Sequence, residues 1–148
     1  MGTGSLKNHL MDLVNQLKLN QSVEFIDEGS QRRVRNLISE SHFVISSSQH
    51  ENNPVVLIEA IACGKPIIAT SCGGPEDIVN ETNGLLAKIN DPEDLSQKML
   101  QMINNYDPQK IRADFEKRFS SMVITPRIIA LYKEVIAEHQ LKFSCKNR

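Results

Sequence analysis

Short apolar segments alternate with helical patterns along this chain, and this alternation limits the fold more than any other feature. The apolar segments are residues 23–26 (VEFI), 42–46 (HFVIS), 66–70 (PIIAT) and 84–87 (GLLA). Strands that are apolar on nearly every residue are buried on both faces, as in parallel sheets covered by helices. The sequence therefore predicts an α/β fold with a doubly wound, Rossmann-like parallel sheet.

Helical periodicity fills the intervals between these segments. Helices are predicted over residues 5–17, around 34–38, over 54–63, from 75 towards 80, from 91 to 103, and from about 125 onwards. Ser5, Asn53 and Asp91 are the predicted N-caps, because Ser, Asn and Asp side chains accept bonds from the first helical amides. Gly64 stands where a left-handed C-cap is expected.

Composition excludes several classes of protein. The net charge is -1, aromatic residues are 5% and Trp is absent, so a nucleic-acid partner is not expected. The three cysteines are odd in number and lack CxxC spacing, which disfavours a disulfide framework or a zinc site. Reduced thiols, no signal peptide and no membrane span predict a cytoplasmic chain. We expect residues 1–140 to form one domain and residues 141–148 a polar tail.

The residues that favour a chemical function lie between 46 and 66. An apolar strand ends there, a polar loop follows, and Asn53-Pro54 is typical of a helix start. The amides of Val55 and Val56 would then point out of the helix at the carboxyl edge of the sheet. Ligands bind at that edge in open α/β folds, and a helix N-terminus is a ready phosphate site.

Two carboxylates flank this helix start. Glu51 lies in the loop before it, and Glu59 lies about a turn and a half into the helix. Neither is needed for the core, and a carboxylate beside a phosphate would repel it. Both acids are therefore expected to bind hydroxyl groups. A diphosphate with a sugar on each side fits this pattern, with Glu51 on the transferred sugar and Glu59 on the ribose.

Residues 51–70, ENNPVVLIEAIACGKPIIAT, resemble the E-x7-E block of family 4 glycosyltransferases of the GT-B fold, whose usual form is EGFPxVxxEAxAxGxPVIAT. Three more segments follow in the family's order. Residues 72–79 are similar to its GG-x-x-E element, residues 83–86 to its NGxL strand, and residues 91–95 to its D-P-E-x-L helix start. Residues 119–120 and the final helix resemble its closing segment, so the resemblance covers residues 2–138.

The resemblance implies the C-terminal donor-binding domain of a retaining, hexosyl-type glycosyltransferase. Such enzymes bind a nucleotide diphospho-sugar, here UDP- or GDP-linked, and need no cofactor and usually no metal. By resemblance, Glu51 is the catalytic residue that orients the sugar, and Glu59 holds the ribose. The other donor-binding residues implied are Asn52, Asn53, Pro54, Val55 and Val56, with Glu28, Gly29, Ser30, Gln31 and Arg32 near the base. Polysaccharide or glycolipid synthesis is the expected setting, with a membrane-associated acceptor at the inner face of the membrane.

Three positions depart from the family pattern. Asn52 and Asn53 replace the usual Gly and aromatic residue, and Asn tolerates a left-handed backbone better than most residues. The turn can therefore form, with a different sugar preference. Asp27 stands where the family usually has Gly, in the segment that leads to the base loop.

The start of the chain resembles the family's G-x-G-x-L, which follows the second strand of the donor domain. On this alignment two strands, the loop with an Arg and a Lys for the diphosphate, and the N-terminal acceptor domain are missing. In the family's strand order 3-2-1-4-5-6, residues 23–26 would lose their partner and residues 42–46 would expose an edge. Exposed edges pair with other chains, so a domain-swapped or edge-paired homo-oligomer is expected, with no catalysis by the chain alone.

Some residues have two interpretations from sequence. His50 is either a general base or a solvated loop residue. Arg32, Arg33 and Arg35 either bind phosphate or form a solvated helix face. Gly73-Gly74 either allows close approach of a ligand or only turns the chain.

The function also has alternatives. The chain could be a non-catalytic module that binds a nucleotide-sugar or completes a partner chain, or a GT-B-fold epimerase. An epimerase would release free nucleotide and an altered sugar without any acceptor.

Overall fold

The computed structural model describes residues 4–103 and 106–146, with side chains described as far as residue 139. The chain forms two compact units, one ending at Leu37 and one beginning at Ile38. Within the described residues the helices are α1 (Lys7–Gln16), α2 (Gln31–Glu40), α3 (Val55–Ala62), α4 (Pro75–Ile78), α5 (Pro92–Met102), α6 (Pro108–Arg118) and α7 (Ser121–Lys146). The strands are β1 (Val44–Ser46), β2 (Ile67–Thr70) and β3 (Gly84–Ala87).

The second unit is built on three parallel strands in the order β1-β2-β3. Val44 lies opposite Ile67, which in turn lies opposite Gly84. Every residue of β2 is buried, because this strand is paired on both sides and packs against α3 and α5. The predicted α/β class with an all-parallel sheet is confirmed, but burial on both faces holds throughout only for β2, because Ile45 in the edge strand β1 is 37% exposed.

Helix α3 packs on the sheet and on α6. Its buried face includes Leu57 and Ile61, and α6 adds Ile111, which is also fully buried. Gly64 follows α3 with φ +70, and a Cβ at this position would lie 2.9 Å from the Pro108 carbonyl oxygen. Glycine is therefore required both by the backbone conformation and by the close approach of α6, which confirms the predicted left-handed C-cap.

An aspartate followed by a proline begins both α5 and α6. Asp91 accepts a hydrogen bond from the Asp94 amide at 2.9 Å, and Asp107 accepts one from the Gln109 amide at 2.9 Å. The predicted start of α5 is confirmed. Helix α6 was not predicted, although Asp107-Pro108 carries the same signal as Asp91-Pro92.

The last helix is longer than predicted at both ends. Helix α7 begins at Ser121 and includes Pro126, whereas the sequence pattern placed its start near that proline. Pro126 is the sixth residue of α7, so its nitrogen cannot donate the hydrogen bond to the carbonyl four residues earlier, yet the helix continues beyond it. The backbone is helical as far as Lys146, which includes part of the predicted polar tail. No helix in the described ranges has the length and apolar character needed to cross a membrane.

The first unit departs from prediction in two places. Helix α1 begins at Lys7, and its N-cap is Leu6, which makes no side-chain cap bond, so the predicted cap at Ser5 is wrong. Residues 23–26 form no strand. A strand needs backbone hydrogen bonds from a neighbour, and none of the described strands pairs with this segment.

Asp27, which departs from the family pattern, has a local partner. The Lys7 ammonium donates a hydrogen bond to its carboxylate. This bond, with the attraction of the two charges, lowers the pKa of Asp27. Because the pair is exposed, it contributes little to stability.

Asn83, from the segment that resembles NGxL, is fully buried at the centre of a polar network. Its Nδ2 donates to the Ile78 carbonyl at 3.0 Å and to Asp114 at 2.9 Å, and its Oδ1 accepts from the Asn80 amide at 2.9 Å. Arg118 donates to the same Asp114 carboxylate at 3.1 Å. The network joins the end of α4 to α6, so Asn83 has a structural role.

Replacing Asn83 by alanine should lower the free energy of unfolding by about 3 kcal/mol, because several buried polar groups lose their partner at once. Chemical denaturation followed by circular dichroism measures this change. Asn8→Ala, at an exposed position of α1, is the matched control and should change stability by less than about 0.5 kcal/mol. A loss below about 1 kcal/mol for Asn83→Ala would contradict the structural role.

Candidate functional site

Three loops leave the sheet at the carboxyl ends of the strands, and side-chain hydrogen bonds join them. Thr70, at the end of β2, is 5% exposed and donates to the Ser48 carbonyl in the loop after β1. Gln49, in the same loop, donates to the Asn90 side chain after β3 at 3.0 Å. The loop after β1 is therefore bonded to the end of β2 and to the loop after β3.

Glu51 has its backbone fixed to the loop that follows β2. It forms an isolated parallel bridge with Gly73. The Gly74 amide donates to the Glu51 carbonyl at 2.6 Å, and the Glu51 amide donates to the Cys72 carbonyl at 3.4 Å. The half-buried carboxylate accepts a long bond, 3.4 Å, from the Asn53 amide. A carboxylate has about four acceptor sites, so most of its capacity is available to a ligand.

The Gly73-Gly74 pair allows this close contact between two backbones. A Cβ on Gly74 would lie 2.1 Å from the Asn52 carbonyl oxygen. Gly73 has φ +118, and a Cβ there would lie 3.0 Å from the Glu51 carbonyl oxygen. The glycines therefore do more than turn the chain, because they admit the loop that carries Glu51.

The glutamate of the GG-x-x-E element supports the same turn. Glu76, in the first turn of α4, accepts a hydrogen bond from the Gly73 amide at 2.9 Å. This bond satisfies an amide that would otherwise lack a partner at the start of a short helix. Glu76 therefore stabilises the turn against which Glu51 is bonded.

Helix α3 begins one residue later than predicted. Its N-cap is Pro54, with no side-chain cap bond, so the prediction of Asn53 as cap and Pro54 as first helical residue is wrong. The ψ of Pro54 is 86°, outside the helical region, so the proline can occupy only the cap position. The amides of Val55 and Val56 receive no acceptor from the residues that the structure describes, and both side chains are exposed. The helix thus presents open amide donors at the carboxyl edge.

Glu59 lies on the exposed face of α3, one turn after Val55. The opposite face, with Leu57, Ala60 and Ile61, is buried. Glu51 therefore lies in the loop before α3, and Glu59 lies on the exposed face of α3, about one turn into that helix.

The segment expected near the base is partly helical. Glu28, Gly29 and Ser30 lie in a loop, but Gln31 and Arg32 are the first two residues of α2, so the expectation of one continuous loop is corrected. Ser30 takes the cap role, since its hydroxyl accepts a long bond from the Arg33 amide at 3.4 Å. All five residues are exposed and belong to the first unit, whereas Glu51 and Glu59 belong to the second.

The basic residues with two interpretations are all at the surface. His50 is exposed and has no hydrogen-bond partner in the described part of the chain, so no group there orients it as a base. Arg32, Arg33 and Arg35 are exposed on α2. Among the described residues no group of three His, Cys, Asp or Glu is arranged to hold a metal ion.

A cavity of about 590 Å³ lies at the opposite, amino ends of β1 and β2, with Phe43, Pro66 and Tyr106 in its lining. The Tyr106 hydroxyl donates to the Gly84 carbonyl at 3.0 Å. Burial raises the pKa of Tyr106. The residues that carry the predicted chemistry lie at the other edge of the sheet, so this cavity is not the candidate site.

A parallel sheet covered by helices, with the start of α3 at its carboxyl edge, defines a Rossmann-like α/β fold. The family model described as glycosyl transferases group 1 matches residues 1–121. An uncharacterized glycosyltransferase of Methanocaldococcus jannaschii is 31% identical over 139 residues, which cover 93% of this chain and 39% of that relative. The N-acetyl-alpha-D-glucosaminyl L-malate synthase of Bacillus anthracis is 27% identical, covering 87% of this chain and 35% of its own length. The chain belongs to the group 1 glycosyltransferase family.

Solved structures show the same fold. Sucrose-phosphate synthase from Thermosynechococcus elongatus matches 91% of this chain and 35% of its own, with 24% identity and a TM-score of 0.79. Anabaena Alr3699/HepE in complex with UDP-glucose matches 86% of this chain and 36% of its own, with 24% identity and a TM-score of 0.74. The chain therefore has the α/β fold of part of a GT-B glycosyltransferase and spans between a third and two fifths of these proteins.

Proposed function

We propose that this chain binds a nucleotide diphospho-sugar at the carboxyl edge of its sheet, as the donor-binding part of a retaining, hexosyl-type glycosyltransferase. The observation that supports this most directly is the start of α3. Two open amides, of Val55 and Val56, lie between two surface carboxylates, Glu51 and Glu59. Amides at a helix start favour phosphate, and carboxylates favour the hydroxyls of sugars.

A uridine nucleotide is the donor we favour. Anabaena Alr3699/HepE has been solved with UDP-glucose, and Staphylococcus aureus TarM with UDP. Both share the fold of this chain over most of its length, 86% and 87% respectively. A GDP-linked sugar is the runner-up donor.

Each part of the edge has a proposed role. Glu51 orients the transferred sugar, and the amides from Asn53 to Val56 bind the sugar and the diphosphate. Glu59 accepts hydrogen bonds from the two ribose hydroxyls.

During transfer the bond from the anomeric carbon to the diphosphate oxygen breaks, and a bond to an acceptor oxygen forms. The diphosphate oxygen leaves with the bonding electron pair and takes up the proton that the acceptor hydroxyl releases. The amides and the dipole at the start of α3 stabilise that charge as it develops. The acceptor site and the basic residues for the diphosphate belong to the rest of such an enzyme, so we expect no transfer by this chain alone.

A second candidate is a module that binds the nucleotide-sugar without catalysis and completes a partner chain. The two candidates predict the same donor binding and differ in transfer once an acceptor-binding domain is added. An epimerase is the third candidate. It would release free nucleotide and an altered sugar from the nucleotide-sugar when no acceptor is present.

The replacement Glu59→Ala should weaken UDP-sugar binding about 10- to 100-fold, because two hydrogen bonds from the ribose to a carboxylate are lost. An amide-proton NMR titration with UDP-, GDP- and ADP-sugars measures the affinity and identifies the base. The largest shifts are expected at Val55, Val56 and Glu59.

Glu81→Ala removes an exposed glutamate from the turn before β3 and is the matched control, with no expected change in affinity. A well-dispersed wild-type spectrum that no nucleotide-sugar perturbs would contradict donor binding by this chain. Equal weakening by Glu59→Ala and Glu81→Ala would contradict the ribose role of Glu59.

A further inference from the structure

The regular pairing of β1 with β2 stops short of the candidate site. The last paired residues are Ser46 and Ala69, and pairing resumes only at the bridge between Glu51 and Gly73. Four residues separate Ser46 from Glu51, whereas three separate Ala69 from Gly73. An extra residue on one side interrupts the ladder of backbone hydrogen bonds, so the two segments need another link within this gap.

Thr70 lies in the gap and joins its two sides. It is 5% exposed, and its hydroxyl donates a hydrogen bond to the Ser48 carbonyl. Ser48 is three residues before Glu51, and its carbonyl accepts no other hydrogen bond from the residues that the structure describes. A bond from a buried hydroxyl is shielded from water, and leaving its acceptor without a partner is costly. The loop after β1 is therefore expected to move when this hydroxyl is removed.

The loop has other attachments, and only one of them is as firm. Gln49 bonds to the loop after β3 through exposed side chains, where water competes for both groups. The bond from the Glu51 amide to the Cys72 carbonyl is long, 3.4 Å. The bond from the Gly74 amide to the Glu51 carbonyl, 2.6 Å, fixes the loop firmly at one point. A segment fixed at one point can pivot about it, so the Thr70 bond is the second point that sets its orientation.

We propose that Thr70 is a positioning residue for the donor sugar. Its hydroxyl, through the Ser48 carbonyl, holds the loop after β1 in the conformation that directs the Glu51 carboxylate at the transferred sugar. This inference rests on the proposed function, because the sugar is the group that Glu51 is proposed to bind. Thr70 is too deeply buried to contact a ligand itself, and its hydrogen bonds go to the loops after β1 and β2. Its influence is therefore expected on the sugar and not on the uridine nucleotide.

Calorimetric titration of the full chain with UDP and with UDP-glucose tests this role. Thr70→Val keeps the branched shape and loses the hydroxyl. It should raise the dissociation constant for UDP-glucose at least about fivefold, because the carboxylate loses its alignment with the sugar, while the constant for UDP changes less than about twofold. Thr70→Ser keeps the hydroxyl and should return both constants to within about twofold of the wild type. Thr82→Val removes an exposed hydroxyl from the turn before β3 and is the matched control, with no expected change.

Amide hydrogen exchange without ligand verifies that Thr70→Val is folded and locates the change. Exchange should accelerate more at Glu51 and Gly74 than at Ile68, which is fully buried in β2. Thr70→Ala also lacks the hydroxyl and should shift the two affinities in the same direction as Thr70→Val.

Equal weakening of UDP and UDP-glucose binding by Thr70→Val would overturn the proposal, since Thr70 would then support the whole edge of the sheet. Unchanged affinity for both ligands would overturn it as well, and so would a Thr70→Ser variant as weak as Thr70→Val. In each of these results the wild type still binds the donor, and the proposed function stands. A wild type that binds neither UDP nor UDP-glucose would contradict the proposed function, and this inference with it.

Discussion

Replacing Gly84 by alanine is expected to lower the free energy of unfolding by about 3 kcal/mol, since overpacking a rigid site is among the most destabilising changes. A Cβ on Gly84 would lie 2.2 Å from the Ile67 carbonyl oxygen and 2.7 Å from its Cγ1. Ile67 cannot yield, because it is fully buried in the central strand and lies opposite Val44 on its other side. The backbone hydrogen bonds that pair β2 with β3 must therefore lengthen or break. Thermal and chemical denaturation measure the loss.

Gly4→Ala is the matched control for this prediction. No atom lies within 4 Å of a Cβ at Gly4, so the change acts mainly through the unfolded chain. Such a replacement shifts stability by no more than about 1 kcal/mol. If Gly84→Ala unfolded with the same free energy as Gly4→Ala, the close contact with Ile67 would be contradicted.

Local signals in the sequence were sufficient for much of the second unit. The strand at residues 84–87 has the predicted bounds, and Asp91 and Gly64 cap their helices as expected. Each of these features is decided within a few residues, by a side chain that reaches its own backbone or by a left-handed glycine. The parallel class of the sheet also followed from the unbroken apolar strands.

One error arose where a distant partner decides the outcome, and two arose at local helix-start signals. Residues 23–26 have the composition of a strand, but no described strand supplies the hydrogen bonds that one requires. The N-cap of α3 is Pro54 and not the predicted Asn53. The Asn53 amide donates a hydrogen bond to the Glu51 side chain. Helix α6 was missed although its Asp107-Pro108 start is a local signal of the same kind as Asp91-Pro92.

The sequence predicted which residues belong to the candidate site, but it did not predict the contacts that hold them in place. The E-x7-E spacing indicated Glu51 and Glu59 together with the start of the helix between them. The hydrogen bonds that fix the Glu51 backbone come from the Gly73-Gly74 turn, about twenty residues further along the chain. No periodicity or spacing predicts that contact, so the glycine pair had two interpretations until its neighbours were known.

The second large effect is expected from Gly74→Ala, which should weaken UDP-glucose binding about tenfold or more while UDP binding changes less than about threefold. A Cβ on Gly74 would lie 2.1 Å from the Asn52 carbonyl oxygen, so the loop that carries Glu51 must move by about 1 Å to reach a normal contact distance. That movement displaces the carboxylate proposed to orient the sugar. Glu59, on the exposed face of α3, should still hold the ribose.

Calorimetric titration of Gly74→Ala with UDP and with UDP-glucose separates these two contributions, with Gly4→Ala as the matched glycine control. Because Gly74 is buried, some loss of stability is expected as well, so binding is measured well below the melting temperature of the variant. A selective loss for the sugar nucleotide supports the role of the glycine pair in positioning Glu51. An equal loss for both ligands would mean that the turn supports the whole edge of the sheet, and Glu51 would then have no separate role in sugar binding.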